Sequence, residues 1–291
     1  MSIGVGWVGT RADGRRHLFL ASDSRVQGGQ RLDLCPKILT LPRSDCAICF
    51  AGNTGTTYPL MIQLANAIAA HQPARERNLD LTRLKDHILR VFSDIVDHIE
   101  DSVEPFNREE AEFILGGYSW HRKDFCLWNI QFSESQKRFI AREAKSFHEL
   151  MPKAAFIGDW ARRMRARMLK DLAGYKDDSA KKRRPVYLAP LRTLASFIRE
   201  APLGDTIGGA PQLVRITEHM NTQPLCVLWG KNAGGVTLFG RPLFDYENCD
   251  YWIIDPENGK FYSPRKYGHR DHPKSDGRSD AVNGNISNDP G

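Results

Sequence analysis

Apolar residues recur along this chain in two rhythms, and each change of rhythm marks an element. The first 52 residues carry short apolar runs of strand length. "IGVGWV" and "HLFLAS" flank the turn-rich "GTRADGRR" as a hairpin, and "KILTL" pairs with "CAICFAG" around Pro42 and Asp45. Gly52-Asn53-Thr54-Gly55 then opens a helix, with Asn53 or Thr54 as its cap and Pro59 in the first turn. Tyr58, Met61, Ile62, Ala65 and Ala69 fall on its apolar face. A second helix starts at the cap Asp80, because Leu81, Leu84, Ile88, Val91, Ile95 and Ile99 repeat at three- and four-residue spacing. "EFILGGYSW" and "DFCLWNIQF" return to strand, and "KAAFIG" is a short strand that feeds the helix "DWARRMRARMLKDL". "APLRTLASFIRE" is a further helix, followed by the strands "GGAPQLVRIT", "PLCVLWG" and "GVTLFG".

The helices come in pairs and do not alternate with the strands. A single sheet would leave one face bare, whereas two stacked sheets with a helix pair on each outer face bury everything. The expected fold is therefore α+β, a four-layer αββα sandwich spanning residues 1–218. Residues 219–265 read as a C-terminal β extension on the same domain, with a hairpin in "DYWIIDPENGKFYS" turning at Glu257-Asn258-Gly259. From about Lys266 onward the chain is rich in Gly, Asp, Asn, His and Ser, so residues 266–291 are expected to be a disordered tail.

Charge changes this picture little. Much of the net +6 comes from "RRMRARMLK" (162–170) and "KKRR" (181–184). Aromatic residues are sparse there and no nucleic-acid motif accompanies them, so a solvated helix face and a basic loop account for both. No apolar run approaches the ~20 residues of a membrane span, and "MSIGVGWVGTRADGRR" lacks the basic-then-apolar order of a signal peptide. The six cysteines have no disulfide-scaffold spacing and fit a reducing cytosol. Cys46 and Cys49 sit inside an apolar run, which favours packing over zinc, and "HRDH" (269–272) lies in a tail with no core to fix metal ligands. No cofactor and no metal are expected.

One stretch resists a purely structural reading. In "LFLASDSR" a buried strand runs into Ser22-Asp23-Ser24-Arg25, carrying a carboxylate inward. Together with Lys37 in "PKILTL", then "FAGNTGTTYPLMIQLANAI", "AAFIGDWARRM" and "DTIGGAPQLVRI", all in the same order over residues 2–218, it resembles the catalytic β subunits of the proteasome. Their bacterial relatives HslV and Anbu share the pattern. These are N-terminal-nucleophile hydrolases of the αββα fold. The resemblance implies that Ser2, exposed by removal of Met1, is the nucleophile and that its own α-amine is the base. The unperturbed pKa of such an amine, about 7.7–8.0, suits proton transfer near neutrality.

By motif position, the resemblance places Lys37 beside Ser2, Asp23 as the partner of Lys37, and the Gly52 N–H at the oxyanion. Phe50 becomes a wall of the substrate pocket, and Asp205 a second carboxylate that orients the amine. The residues alone also allow Asp23 to be a turn residue, Lys37 an edge lysine, Gly52 a plain turn and Asp205 part of a loop. His17, His87 and His98 read as exposed or locally bonded residues, with no partner set for a Ser-His-Asp triad. Serine replaces the family's usual threonine, and the segments near Gly158-Asp159 and Gly208 lack the serines that matching segments often carry.

Two functions follow. The first is a cytoplasmic peptidase acting on peptides or unfolded protein inside a homo-oligomeric ring or spiral, with a partner ATPase implied. The second is a catalytically inactive subunit of the same fold with a structural or binding role. A small-molecule amidase fits the Asp-Ser-Arg/Lys pairing less well.

Overall fold

The computed structural model describes residues 2–28, 30–99, 110–175, 185–230, 235–244, 246–247 and 249–263. The basic 181–184 loop, the tail and its "HRDH" lie outside these residues. The chain opens with the expected hairpin, β1 (Ile3–Thr10) and β2 (Arg16–Ser22), paired from Gly4 opposite Ser22 to Thr10 opposite Arg16. A small ribbon, β3 (Val26–Gly28) with β4 (Gln30–Leu32), precedes β5 (Ile38–Thr40) and β6 (Cys46–Ala51).

The helices α1 (Thr54–Ala70), α2 (Gln72–Arg75) and α3 (Leu81–Val96) follow. After them come β7 (Glu112–Ser119), β8 (Asp124–Ser133), β9 (Arg138–Glu143) and β10 (Lys153–Gly158). The second pair of long helices is α4 (Ala161–Ala173) and α5 (Ala189–Glu200). The remaining strands are β11 (Gln212–Thr217), β12 (Thr222–Trp229), β13 (Gly235–Leu238), β14 (Arg241–Pro242), β15 (Ile253–Ile254) and β16 (Phe261–Tyr262).

The strands divide into two main sheets. The larger runs β10-β1-β2-β11-β12-β13-β14, with β15 added parallel to β12 and β16 paired to β15; the smaller runs β5-β6-β7-β8-β9. The strands alternate between two apolar environments. Ile3, Val5, Trp7, Phe19, Ala21 and Leu213 join Met164, Met168, Leu191 and Leu194 of α4 and α5 in one cluster. Cys46, Ile48, Phe50, Phe113 and Leu115 join Leu60, Leu64, Leu84, Ile88 and Phe92 of α1 and α3 in another. The intervening residues Val8, Leu18, Leu20, Ala47, Cys49, Ile114, Leu127, Val214 and Ile216 form a third, drawn from both sheets. A strand buried on both faces reads as a continuous apolar run, which is why these strands show little polar alternation.

Both N-caps are formed as expected. The side chain of Asn53 accepts the Gly55 N–H at 2.8 Å and that of Asp80 accepts Thr82 N–H at 3.0 Å. The apolar face of α1 differs from the sequence expectation. Met61 is buried, but Ile62 is 59% exposed, and the buried stripe runs through Thr57, Leu60, Leu64 and Ile68. The leucines and Ile68, four residues apart, outweigh the small Ala65 and Ala69 in choosing the face. Strand β9 went unpredicted, because "RFIARE" carries only two large apolar residues and three charges. On α4 the arginines 162, 163, 165 and 167 are exposed while Met164, Met168 and Leu172 are buried.

Candidate active site

The site forms where β2 leaves its sheet. Ser22 is paired on both sides, with Gly4 of β1 and Gln212 of β11, so the chain is held up to its last strand residue and then turns inward at Asp23. The Asp23 carboxylate collects four donors from four stretches of chain. Oδ1 accepts from Lys37 Nζ at 2.8 Å and Ile3 N at 3.2 Å, and Oδ2 from Arg25 N at 3.0 Å and Gly208 N at 3.1 Å. Lys37 Nζ also donates to Ser2 Oγ at 2.6 Å. Asp23 and Lys37 are 0% exposed and Ser2 only 2%. A buried ammonium needs such a carboxylate beside it, since desolvating an unpaired charge costs several kcal/mol or more.

Lys37 is fixed through its backbone as well as its side chain. Its N–H donates to Gln212 Oε1 at 2.9 Å, and its carbonyl accepts Phe50 N–H at 3.0 Å. The same Gln212 amide donates through Nε2 to the carbonyls of Asp23 and Cys35, at 3.2 and 2.6 Å, and to Ser24 Oγ at 3.1 Å. One side chain thus ties the Asp23 turn to the segment that carries Lys37. Arg25 braces the turn from the other side. Its guanidinium forks onto Asp33 at 2.7 and 2.9 Å and donates to the carbonyls of Ile207 and Asp205 at 2.9 and 3.1 Å. That fork holds the Asp33 carboxyl below its usual range.

Two glycines bring other segments close. Gly52 has φ +116°, and a Cβ there would fall 1.5 Å from the Glu110 carbonyl oxygen. Only glycine fits such a turn. Gly158, paired with Ile3 at the end of β10, donates its N–H to Glu112 Oε2 at 2.6 Å. Glu112 itself pairs across the smaller sheet with Ala51, the residue before Gly52.

Of the residues singled out from the sequence, Ser2, Asp23 and Lys37 share one hydrogen-bonded cluster. Asp205 is engaged elsewhere: its Oδ1 accepts Trp160 Nε1 at 3.1 Å and Thr206 N at 2.6 Å. Thr206 Oγ1 in turn reaches Asp159 Oδ2 at 3.3 Å, and burial pushes the Asp159 carboxyl up. Asp205 meets the cluster's scaffold through its backbone carbonyl on Arg25. Phe50 is fully buried on the helix side of β6, edge-on to Tyr58 with ring centres 5.0 Å apart. Sequence reasoning missed Gln212 and the bracing role of Arg25. Nothing local marks Gln212, whose importance comes from its register opposite Ser22.

Cys46 and Cys49 lie three apart on one strand and therefore face opposite ways, Cys46 toward the helices and Cys49 between the sheets. Burial pushes the Cys49 thiol up to about 12. Neither thiol can join the other in holding one ion.

Chemically, the cluster aims a cation at a serine oxygen. With Lys37 donating to Oγ, negative charge developing there is stabilised, and Asp23 balances the cation when no such charge is present.

No protein-family model matches this sequence, and no curated protein does. Among solved structures, a mutant of Anbu from Hyphomicrobium sp. strain MC1 matches with a TM-score of 0.53. The match covers 82% of this chain and 88% of that one at 14% identity. The likeness read from the motifs is thus met by a likeness in three dimensions, and this chain carries the fold of Anbu, one of the proteasome-like proteins those motifs resemble.

Proposed function

We propose that this protein is an N-terminal-nucleophile peptidase whose nucleophile is Ser2. The observation that carries this reading is Lys37 Nζ, buried between Ser2 Oγ at 2.6 Å and Asp23 Oδ1 at 2.8 Å. A lysine desolvated against a serine hydroxyl has an evident use in catalysis and little in scaffolding. Once Met1 is removed, the Ser2 α-amine takes the hydroxyl proton as Oγ attacks the peptide carbonyl. The oxyanion is received by the Gly52 N–H, and the new ammonium passes its proton to the leaving amine. The acyl ester on Oγ is then hydrolysed by a water activated by the same amine. In this scheme Asp205 orients the amine through the Trp160–Thr206–Asp159 network, and Phe50 backs the pocket for the substrate side chain.

The three apolar clusters support a four-layer αββα sandwich over residues 1–218, with residues 219–265 as an added β extension. The substrates on this reading are peptides or unfolded protein, and the working form is a homo-oligomeric ring or spiral in the cytoplasm, served by an ATPase. Intact mass of the untagged protein, before and after a peptide epoxyketone, tests the nucleophile. That warhead needs a hydroxyl and a free α-amine on one residue. Loss of Met1 with a single adduct on Ser2 is expected. Retained Met1 and no adduct would overturn the reading in favour of a non-catalytic subunit.

A further inference from the structure

We propose that Cys226 and Cys249 form an intrachain disulfide, an oxidative modification site in the C-terminal extension that stands independently of the peptidase reading. Their sulfurs lie 3.0 Å apart, so bonding at about 2.05 Å requires an approach of roughly 1 Å. Cys226 is on β12 and Cys249 lies in the segment between β14 and β15. Both sit in a small apolar cluster with Val236 and Ile253. The backbone holds the pair from behind: Cys226 N–H donates to Trp252 O at 2.9 Å, and Cys226 lies in register with Ile253.

The chemistry needs a two-electron oxidant of the peroxide class. Cys249, 6% exposed against 0% for Cys226, is the sulfur that meets it first. Peroxide oxidises the Cys249 thiol to a sulfenic acid with release of water. The Cys226 sulfur then attacks the Cys249 sulfur, and the displaced hydroxyl leaves as a second water with the Cys226 proton. Burial pushes the Cys226 thiol well above its usual range, so closure is slow and the bond, once made, is shielded from reductants.

The bond would pin a segment that reaches the site. Between the two cysteines runs the turn at Gly240, where φ is +87° and a Cβ would fall 2.0 Å from Ser24 Oγ. Ser24 follows Asp23, donates to the Ala210 carbonyl and accepts from Gln212. Cross-linking the extension therefore stiffens the wall behind the Asp23 turn.

The test treats the full-length native chain with hydrogen peroxide, blocks free thiols with N-ethylmaleimide under denaturing conditions, and maps peptides with and without reductant. Two of the six thiols should escape blocking, the unblocked mass should fall by about 2 Da, and one linked peptide pair should contain Cys226 and Cys249. The oxidised protein should melt several degrees higher than the reduced one, a shift lost in Cys249→Ser. Complete blocking of all six thiols, linkage through other cysteines, or recovery of Cys226 and Cys249 as sulfinic or sulfonic acids would overturn the proposal.

Discussion

Gly158 lies flat against the backbone of Ser2: a Cβ on it would stand 1.9 Å from the Ser2 carbonyl oxygen and 3.2 Å from Ala51 Cβ, at a φ of +87°. Gly158→Ala should therefore lose about 2–4 kcal/mol of stability through strain and displacement of the first strand. Urea unfolding measures this. An unchanged midpoint would mean that the strand end tolerates movement, and the placement of Ser2 would then be soft.

The Lys37–Asp23 pair invites a double-mutant cycle. Asp23→Asn and Lys37→Met should each cost about 3–5 kcal/mol, since each strands a buried partner. The double variant should cost less than the sum, with a coupling of about 2 kcal/mol. Strict additivity would show that the two side chains are energetically separate despite their 2.8 Å contact.

If the proposed chemistry holds, Lys37→Ala abolishes peptide hydrolysis while the sedimentation profile stays the same. Turnover equal to that of the wild type would remove the lysine from the mechanism.

His17, expected from the sequence to be exposed or locally bonded, is instead only 2% exposed, and its burial makes a pH prediction. Burial first, then the charges of Arg215 and Arg11, lower it from 6.5 to about 4. The folded chain therefore refuses a proton that the unfolded chain accepts. The stability this group contributes is complete above pH 6.5 and drains away as pH falls toward 4, by roughly 3 kcal/mol in total. Unfolding free energies of the wild type and His17→Phe, followed from pH 7 to pH 4, should diverge by that amount, the wild type falling faster. Parallel curves would mean that His17 titrates normally.

Assembly can be tested on the exposed apolar residues Ile62, at 59%, and Leu203, at 78%. Ile62→Lys and Leu203→Glu should change monomer stability by no more than about 0.5 kcal/mol. If the chain assembles as proposed, at least one of them should shift the sedimentation coefficient toward that of a monomer. A wild type that sediments as a monomer at micromolar concentration would count against the ring or spiral directly.

Much of this architecture was legible in the sequence because the central strands β1, β2, β6, β7 and β11 are apolar on both faces, and α3 begins on the expected stripe of Leu81, Leu84 and Ile88, although Phe92 and Val96 bury its second half where Val91 and Ile95 were expected. The Ser2–Lys37–Asp23 cluster was legible only through motif resemblance, since no spacing rule brings residues 2, 23 and 37 together. The face of α1 misled because alanines weigh little in choosing which side is buried. Strand β9 escaped because an edge strand needs few apolar residues. Gln212 depends on register between distant strands, and the Cys226–Cys249 approach on the return of the segment before β15 onto β12; residue patterns encode neither.

The sheet order also sets a timetable for biosynthesis. β1 is flanked by β2, which follows it at once, and by β10, whose last residue is Gly158. Made at about 5–20 residues per second, a nascent chain leaves β1 with one open edge for many seconds before β10 can arrive. In that interval the edge of β1 from Ile3 to Val8 has no partner, and it gains one only when the residues from Lys153 to Gly158 have been made.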